Sequence, residues 1–340
     1  MDKRRVIIIG AGKRVERVIL PALYCLQDDV EIVNIMARTA RLKSFLDKRL
    51  EVSIVTEVAD VVWSSTELVI IAVPKEAVAS VLRKIPRQFR SRLILLVDTP
   101  VIPLRSLGTL RIFDDFKRVL VSEDYLGVPF FEAAKVFLQE GKIGDLHAIH
   151  FMHSGYRYHA LAAIKHLSGC STFSYIRMRN RGAVERDIRT ANNVRAHILE
   201  PRDYRNGRTL IVGAKGTIGD YPLQGLNHRM LDTSVGSAVF FEGKLVGNNE
   251  ITDKALRTHG DGVVPQDQTD AAKVYGFMRL VQASFEPVSN YHYQPLEAVY
   301  DNLACAVSDR FGWFFDIPFG KTSVVKIGIR IFARILSRPL

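Results

Sequence analysis

A strand, a glycine turn and a helix, in that order near the N-terminus, constrain this fold more than any other sequence feature. Val6 to Ile9 is an uninterrupted run of β-branched residues, which indicates a strand buried on both faces, as in a parallel sheet. Gly10-Ala11-Gly12 follows at once, and apolar residues then recur at helical spacing from Arg14 to Leu26. This order predicts the first βα unit of a parallel α/β sheet.

The same turn predicts a binding site for a dinucleotide. Gly10 permits a tight turn, and Gly12 lets the backbone approach a pyrophosphate at the helix N-terminus, where free N–H groups favour anions. Val15 stands where the usual fingerprint has a third glycine. We therefore assign cofactor contacts to Gly10, Gly12, Lys13, Arg14 and Val15, the alternative being an ordinary βα turn that binds nothing.

The end of the second predicted strand favours NADP over NAD. This strand runs from Glu31 to Met36 and is followed by Ala37-Arg38-Thr39. An NAD site usually carries an acid here, which holds the ribose 2′-hydroxyl. Arg38 can instead pair with a 2′-phosphate through its planar guanidinium group, and Thr39 can donate a hydrogen bond. We predict NADP, with NAD as the alternative cofactor and a solvated loop charge as the alternative role of Arg38.

Two further strands extend the pattern. The apolar run from Leu68 to Val73 is followed by a predicted helix over residues 76–85, and Leu93 to Val97 forms the next strand. Strands that alternate with helices predict a doubly wound parallel sheet, in which ligands bind beyond the carboxyl ends of the strands. The remaining predicted cofactor residues lie at those ends: Ala72, Val73, Pro74, Asp98 and Thr99.

Composition narrows the class of protein. A chain of 340 residues is long enough for two domains. Its three cysteines are far apart, which argues against a cysteine-built zinc site and favours a reducing compartment, the cytoplasm. The net charge of +11 suits the phosphates of a cofactor. Without a recognised nucleic-acid motif, we expect no nucleic-acid partner.

Several motifs together resemble the Gfo/Idh/MocA family, the group of glucose-fructose oxidoreductase and inositol dehydrogenase. The Gly-Ala-Gly turn and the Ala72-Val73-Pro74 loop are similar to its cofactor loops. Val97-Asp98-Thr99-Pro100 stands in place of the family's V-E-K-P. Residues 123–146 resemble the start of its second domain, and residues 210–218 resemble a hairpin of its substrate sheet. The similarity spans about Arg5 to Asp316.

The resemblance implies a domain organisation. Residues 1–121 would form the Rossmann-type NADP-binding domain, with a doubly wound parallel sheet. Residues 122–316 would form an α+β domain with a large, mostly antiparallel open sheet, through which a homo-oligomer would assemble. Short apolar alternations after Ile176, separated by Gly, Asn and Asp turns, favour the same conclusion.

The resemblance also implies an NAD(P)-dependent oxidoreductase with a small-molecule substrate, but two catalytic positions differ. Thr99 replaces the lysine of V-E-K-P; His159 matches the histidine of the family's H-x-x-D, and Ala162 replaces the aspartate. Hydride transfer to a carbonyl needs a nearby acid, which threonine cannot be at neutral pH. We therefore assign catalysis to His159, with Tyr158 and Tyr125 as further acid candidates.

Two functions remain open at this point. The first is an NADP-dependent reductase acting on a carbonyl, an imine or a conjugated double bond of a small metabolite. The second is a catalytically silenced dinucleotide-binding sensor or scaffold. Intact cofactor loops favour the first, whereas Thr99 and Ala162 favour the second. A purely structural role for His159, within its helix, is the alternative to catalysis.

The basic residues of the second domain and of the C-terminus are assigned to its surface or its framework. Arg177, Arg179, Arg181, Arg186 and Arg189 are expected on an exposed strand and loop face. Lys165 is expected to be solvated or structural. Residues 317–340 predict a basic amphipathic helix. Packing on its own domain or on a second subunit is favoured over peripheral contact of residues 321–340 with a membrane.

Overall fold

The structure is a computed structural model that describes residues 2–38, 52–203, 205–225, 227–247, 249–259, 261–265, 267–286 and 293–315. The predicted cofactor contact Thr39 and the predicted C-terminal helix of residues 317–340 lie outside the described residues. The chain forms two compact units. The first unit comprises Met1–Asp124 and Glu250–Ala298, and the second comprises Tyr125–Asn249 and Val299–Leu340.

The first unit contains the predicted doubly wound sheet. Its six strands are parallel and lie in the order β3-β2-β1-β4-β5-β6. The strands are β1 Arg4–Ile9, β2 Val30–Met36, β3 Ser53–Val55, β4 Leu68–Ile71, β5 Ile94–Asp98 and β6 Arg118–Ser122. The strand order reverses between β1 and β4, which are neighbours in the sheet. Open α/β sheets bind ligands beyond the carboxyl ends of the strands at this switch point.

The helices vary widely in length. A π-helical turn, Val15–Ile19, precedes α1. The α-helices described are α1 Leu20–Cys25, α2 Lys75–Lys84, α3 Arg87–Arg90, α4 Leu110–Phe113, α5 Pro129–Gln139, α6 Arg157–Ser168, α7 Asn249–His259, α8 Gln268–Phe285 and α9 Pro295–Phe311. Among the described residues, no helix is both long and apolar enough to cross a membrane.

Pro21 explains why the first helix begins with a π-helical turn. Proline lacks an N–H group, and in a regular α-helix its ring would collide with the carbonyl group of Arg17. The wider turn relieves this collision, and the Leu20 N–H group bonds to the Val15 carbonyl, five residues earlier. Val15, the first residue of this turn, is buried, and helical structure begins directly after Gly12.

The first unit extends beyond the segment of residues 1–121 predicted for it, because a later part of the chain packs on the same core. Helix α8 packs against the π-helical turn and α1. The Asp270 carboxylate forms an ion pair with the Arg17 guanidinium group at 2.8 Å. At the start of β6, Arg118 donates hydrogen bonds to the carbonyl groups of Ala283 and Ser284 at 3.3 and 3.2 Å. Residues 250–298 therefore complete the first unit.

The second unit contains the predicted open sheet. Its eight strands lie in the order β13-β12-β11-β7-β10-β9-β8-β16, and all neighbours are antiparallel except β7 with β10 and β12 with β13. These strands are β7 Leu146–Met152, β8 Phe173–Asn180, β9 Val184–Thr190, β10 Arg195–Glu200, β11 Arg208–Gly213, β12 Gly216–Gly219, β13 His228–Met230 and β16 Trp313–Phe315. A separate hairpin joins β14 Val239–Phe241 to β15 Lys244–Val246. Helix α6 packs on β7 and β10.

Arg186 contradicts the expectation that the arginine cluster is exposed. The side chains of β9 alternate between faces, and Arg186 shares the buried face with Ile188. Arg186 is 0% exposed, and its guanidinium group donates hydrogen bonds to Ser308 at 3.1 Å and Asp309 at 2.6 Å. Three residues of the predicted cluster, Arg177, Arg181 and Arg189, are exposed.

Lys165 is structural rather than solvated. Its side chain is buried in the second unit, and its ammonium group lies 2.5 Å from a carboxylate oxygen of Asp301, which is also buried. A buried charge of either sign is costly without its partner. The two side chains are therefore interdependent parts of the packing between α6 and α9.

Candidate functional site

Gly10 lies where three strands of the first unit end together. Its N–H group donates to the Met36 carbonyl at 2.9 Å, and the Ala72 N–H group donates to the Ile9 carbonyl at 2.9 Å. Its φ angle is +125°, and a Cβ atom at this position would lie 2.1 Å from the Ala72 carbonyl oxygen. Only glycine fits this conformation and this close approach.

Gly12 has the opposite environment, because it borders open space. Apart from its own chain neighbours, no described residue has a heavy atom within 4 Å of an ideal Cβ on Gly12. The first regular helical bond after the turn runs from the Glu16 N–H group to the Gly12 carbonyl at 3.1 Å. The N–H groups before it have no partner within the helix, and Lys13 is exposed beside them. This space and these donors fit the diphosphate of a dinucleotide.

Arg14, a predicted cofactor contact, directs its side chain to two carboxylates. The guanidinium group lies 2.6 Å from Asp124 and 3.5 Å from Asp98, and it covers the Phe277 ring at 5.9 Å. Burial lowers the pKa of Arg14. The carboxylates of Asp124, Asp98 and Glu123 raise it by more than burial lowers it, so the net pKa lies above the ordinary value. Arg14 is therefore a permanent cation whose side chain joins the ends of β5 and β6 to the glycine turn.

The predicted 2′-phosphate contact lies at the end of β2. Arg38 is exposed, and the preceding Ala37 is buried, with its N–H group bonded to the Val55 carbonyl at 3.0 Å. The short stretch of the described chain after β2, Ala37-Arg38, contains no acidic residue. A phosphate group at this position would therefore meet a cation on the strand end itself.

The remaining predicted cofactor residues lie at the carboxyl ends of β4 and β5. Ala72 presents its carbonyl group to Gly10, and Val73 and Pro74 lead into α2. Asp98 ends β5, and Thr99 follows it, half-buried. The described residues of the predicted cofactor set thus share one edge of the parallel sheet.

In the second unit, the structure brings two of the three predicted catalytic residues together. His159 lies in the first turn of α6 and is half-buried. The ring of Tyr125 lies 5.3 Å from the His159 ring, centroid to centroid, and the ring of Tyr156 lies 6.4 Å from it. Tyr158 directly precedes His159 in the helix. Side chains at adjacent helical positions point in different directions, so the Tyr158 side chain does not face that of His159.

The hydroxyl group of Tyr125 already has an acceptor. It donates a hydrogen bond to the carbonyl group of Ser154, and its ring also contacts Phe131, at 5.1 Å, and lies under the guanidinium group of Arg202, at 5.4 Å. Tyr125 is 6% exposed. Its hydroxyl hydrogen is therefore engaged in a hydrogen bond, and its ring packs against the His159 ring.

Tyr158 is also a weak acid. Burial raises the pKa of its phenol, and the thiol of Cys305 raises it further, against a lowering by Arg157. A phenol whose pKa lies above its ordinary value holds its proton at neutral pH. Ala162, one turn after His159, is 1% exposed and carries no polar group. His159 is the one histidine among the three predicted acids, and histidine is the residue type whose unperturbed pKa lies near neutrality.

Glu200, at the end of β10, orients the helix that carries His159, and sequence reasoning did not identify it. One carboxylate oxygen accepts hydrogen bonds from the backbone N–H and the Nε of Arg157, at 3.1 and 3.3 Å. The other oxygen pairs with Arg186 at 3.3 Å. Glu200 thus caps the first turn of α6 from 43 residues along the chain. At that separation, no local sequence pattern can reveal it.

Solved structures share this fold over nearly the whole chain. An NAD-binding oxidoreductase from Klebsiella pneumoniae has a TM-score of 0.66 at 12% identity, covering 94% of this chain and 100% of that chain. The myo-inositol dehydrogenase from Lactobacillus casei, in complex with NAD(H) and myo-inositol, has a TM-score of 0.62 at 13% identity, covering 95% and 99%. The myo-inositol 2-dehydrogenase from Lactobacillus plantarum has a TM-score of 0.61 at 11% identity, covering 93% and 100%.

At these identities, the likeness establishes the fold. It confirms the architecture that the resemblance to the inositol dehydrogenase group implied, a Rossmann-type sheet with a mostly antiparallel second sheet. No protein-family model matches the chain, and no curated protein matches it in sequence.

Proposed function

We propose that this protein, which has the fold of myo-inositol dehydrogenases and of an NAD-binding oxidoreductase, is an NADP-dependent oxidoreductase. It reduces a carbonyl, an imine or a conjugated double bond of a small metabolite. The glycine turn is the observation that carries this proposal. Gly10 is confined by the Ala72 carbonyl, whereas Gly12 faces open space at a helix N-terminus. That combination suits a diphosphate bound close to the backbone.

The first unit would hold the cofactor. The backbone N–H groups from Gly12 to Val15 would bind the diphosphate, with Lys13 adding positive charge. Arg38 would pair with the 2′-phosphate that distinguishes NADP from NAD. When bound, the reduced nicotinamide supplies the hydride that the substrate accepts.

The second unit would supply the proton. His159 is half-buried and its ring is packed by Tyr125, which limits its orientations. Imidazolium is an effective general acid near neutral pH, and it would protonate the oxygen, nitrogen or carbon that gains charge as the hydride arrives. Glu200 would position this histidine by capping the first turn of α6.

Titration with NADPH and NADH tests the cofactor assignment. We expect NADPH to bind at least about ten times more tightly than NADH. The Arg38→Gln variant should lose about 1.5–3 kcal/mol of NADPH affinity, the usual contribution of a hydrogen bond to a charged group, with NADH affinity unchanged. Lys84→Gln is the matched control, because Lys84 is an exposed cation at the far end of α2.

The two adverse outcomes of this titration differ in meaning. Tighter binding of NADH than of NADPH would contradict the choice of NADP and leave the oxidoreductase proposal in place. If neither nucleotide binds, the proposal itself is wrong, since every step of it depends on a bound dinucleotide.

A silenced dinucleotide-binding sensor or scaffold is the second candidate function. Thr99 and the buried Ala162 lack acidic protons, and the Tyr125 hydroxyl donates to a backbone carbonyl. Stopped-flow oxidation of NADPH separates the two candidates, with pyruvate, 1-pyrroline and 2-cyclohexen-1-one as probes of the three substrate classes. Tight NADPH binding without oxidation by any probe would favour the sensor.

We also propose that a second copy of the chain pairs with the open sheet. Trp313 on the edge strand is 53% exposed, and Arg177, its neighbour in register, is exposed as well. Arg177 lies opposite Asp187, so this part of the sheet carries both charge signs and could pair with its own copy across a two-fold axis. Sedimentation equilibrium tests this, and a monomer would contradict it.

The free thiols of Cys25, Cys170 and Cys305 support a reducing compartment such as the cytoplasm.

A further inference from the structure

Two histidines lie side by side on the second sheet. His150 on β7 and His197 on β10 are directly opposite each other in the register of these parallel strands. Side chains at paired positions of neighbouring strands point to the same face of a sheet. The centroids of the two imidazole rings are 6.4 Å apart, and the ring planes are inclined by 52°. The two rings therefore form a pair on one face.

This pair lies on the face of the sheet opposite α6. The residues that flank both histidines along their strands are buried: Ile149, Phe151, Ala196 and Ile198. Helix α6 packs on the same two strands. His150 and His197 are only half-buried, and side chains alternate between the two faces of a strand. Solvent therefore reaches both rings.

A carboxylate orients His197. Its Nδ1 atom lies 3.0 Å from one oxygen of Asp187, which is its partner in register on β9. The other oxygen of Asp187 lies 3.3 Å from the guanidinium group of Arg179 on β8. A carboxylate paired with an arginine only accepts hydrogen bonds, so Nδ1 of His197 carries the hydrogen and Nε2 presents a lone pair. Histidines that bind metal ions are commonly supported in this way, by a carboxylate on the nitrogen that is not a ligand.

The ring nitrogens of His150 have no protein partner. Within the described part of the chain, the His150 ring forms no hydrogen bond, and neither does Nε2 of His197. Burial, with a smaller effect of His197, lowers the pKa of His150 below its ordinary value. The neutral ring is the form of imidazole that binds metal ions. The pair thus offers lone pairs from two neighbouring strands.

The other side chains that adjoin the pair on this face are mainly apolar. They are Ala148, Met152, Leu199 and Leu210, together with the exposed Arg195. None of them carries an oxygen ligand. A metal ion at this position would therefore have two imidazole nitrogens as its protein ligands, with water in the remaining positions.

We propose that His150 and His197 bind a divalent transition-metal ion of the class of Zn²⁺, Ni²⁺ and Cu²⁺, the ions that imidazole ligands suit. Asp187 is the positioning residue, because it holds His197 with Nε2 available. A zinc ion holds each ligand nitrogen at about 2.0–2.1 Å, so the two nitrogens would be at most about 4.2 Å apart. We expect rotation about the side-chain torsions to bring the facing nitrogens to this separation. The site goes beyond the proposed oxidoreductase and does not depend on a bound dinucleotide.

Calorimetric titration of the full chain with ZnCl₂ at neutral pH tests the site. We expect the wild type to bind Zn²⁺, and His150→Asn and His197→Asn each to lose this binding. The matched control is His147→Asn, because His147 is exposed and lies on the same strand as His150 but on its other face. It should bind Zn²⁺ as tightly as the wild type. Urea unfolding of each variant verifies that it is folded.

The positioning role of Asp187 has a separate test. Asp187→Asn keeps an acceptor for the Nδ1 hydrogen of His197 but removes the negative charge. Loss of such a supporting group lowers metal affinity by about 10–100-fold, and we expect the Kd for Zn²⁺ to rise by this factor. Glu185→Gln is the charge-matched control, since Glu185 lies two residues earlier on the same face of β9. An equal loss in both variants would contradict the positioning role.

The identity of the ligands can be read from the wild type alone. Cu²⁺ binds nitrogen ligands more tightly than Zn²⁺, and its electron paramagnetic resonance spectrum reports coordinated nitrogens. The spectrum of the full chain with Cu²⁺ should show two imidazole nitrogens, and that of each histidine variant should show one. A wild-type spectrum without imidazole coordination would overturn the proposal, whether or not the variants fold.

The zinc titration can overturn the proposal in two further ways. If the wild type binds no Zn²⁺, the site does not exist. If His150→Asn and His197→Asn bind Zn²⁺ as tightly as the wild type, the ion is adventitious and bound elsewhere, and the proposal is wrong. Neither result affects the proposed oxidoreductase, which is tested by the binding of NADPH.

Discussion

The Gly12→Ala variant should bind NADPH more weakly without losing its fold. The φ angle of Gly12 lies outside the left-handed region, and its Cβ direction points into open space within the described residues. The added methyl group therefore meets no protein atom. We expect the free energy of unfolding to stay within about 0.5 kcal/mol of the wild type, as for surface substitutions elsewhere, or to rise slightly because alanine restricts the unfolded chain.

The effect on binding follows from the same geometry. The open space in front of Gly12 is where a diphosphate would approach the helix N-terminus, and a methyl group would keep it away. Losing one or two hydrogen bonds from backbone N–H groups to a charged phosphate costs about 1.5–3 kcal/mol each. We therefore expect the Kd for NADPH to rise by at least about 10-fold, and by about 100-fold for a loss near 3 kcal/mol.

Isothermal titration with NADPH, combined with urea unfolding, measures both quantities on the same samples. Two further glycine variants serve as comparisons for Gly12→Ala. Gly10→Ala should be destabilised by about 3 kcal/mol or more, because it combines a positive φ angle with a contact of 2.1 Å to a backbone oxygen. Gly108→Ala is the control, since Gly108 also faces open space but lies in the 3₁₀ helix Leu104–Thr109. A Gly12→Ala variant that binds NADPH as tightly as the wild type would refute the placement of the diphosphate.

Two further predictions concern stability in the second unit. Lys165→Met should lower the free energy of unfolding by about 3–5 kcal/mol, because it leaves the Asp301 carboxylate buried without its partner. The double variant Lys165→Met with Asp301→Leu should recover most of this loss, as measured by urea unfolding. A single variant as stable as the wild type would contradict the prediction. Burial, with a smaller effect of Lys135, lowers the pKa of His166 from 6.5 to about 3. Because the unfolded chain takes up this proton below about pH 6.5 and the folded chain does not, the free energy of unfolding should fall as the pH drops, by up to about 1.4 kcal/mol per pH unit. His166→Gln should reduce this slope between pH 6.5 and 4, and parallel curves for variant and wild type would show that the ring is not held neutral.

The carboxyl-end edge of the parallel sheet, where we place the proposed cofactor, could be located from the sequence because its features are local. Continuous apolar runs mark strands that are buried on both faces, and the Gly-Ala-Gly turn after β1 marks the point where a helix must begin. Once the strands are known to be parallel, their carboxyl ends must share one edge of the sheet. The location of Gly10, Arg38 and Asp98 at that edge follows from the pattern alone.

The side-chain partners at this edge were not predictable in the same way. Arg14 was assigned to the cofactor on its position in the turn, yet its guanidinium group pairs with Asp98 and Asp124, which are 84 and 110 residues away. The addition of α8 to the first unit depends equally on distant contacts. Sequence periodicity reports which face of an element is buried, and it does not report what covers that face.

The amino-acid sequence by itself determined the two sheets, the glycine turn and the likeness to the inositol dehydrogenase group, because backbone preferences and apolar spacing act over a few residues. Only the tertiary structure decided the chemical state of the polar groups. It bound the Tyr125 hydroxyl to Ser154, buried Arg186 and capped α6 with Glu200. Each of these depends on a donor and an acceptor that are far apart in the chain, and burial gives such pairs their strength, because there they cannot exchange their partner for water.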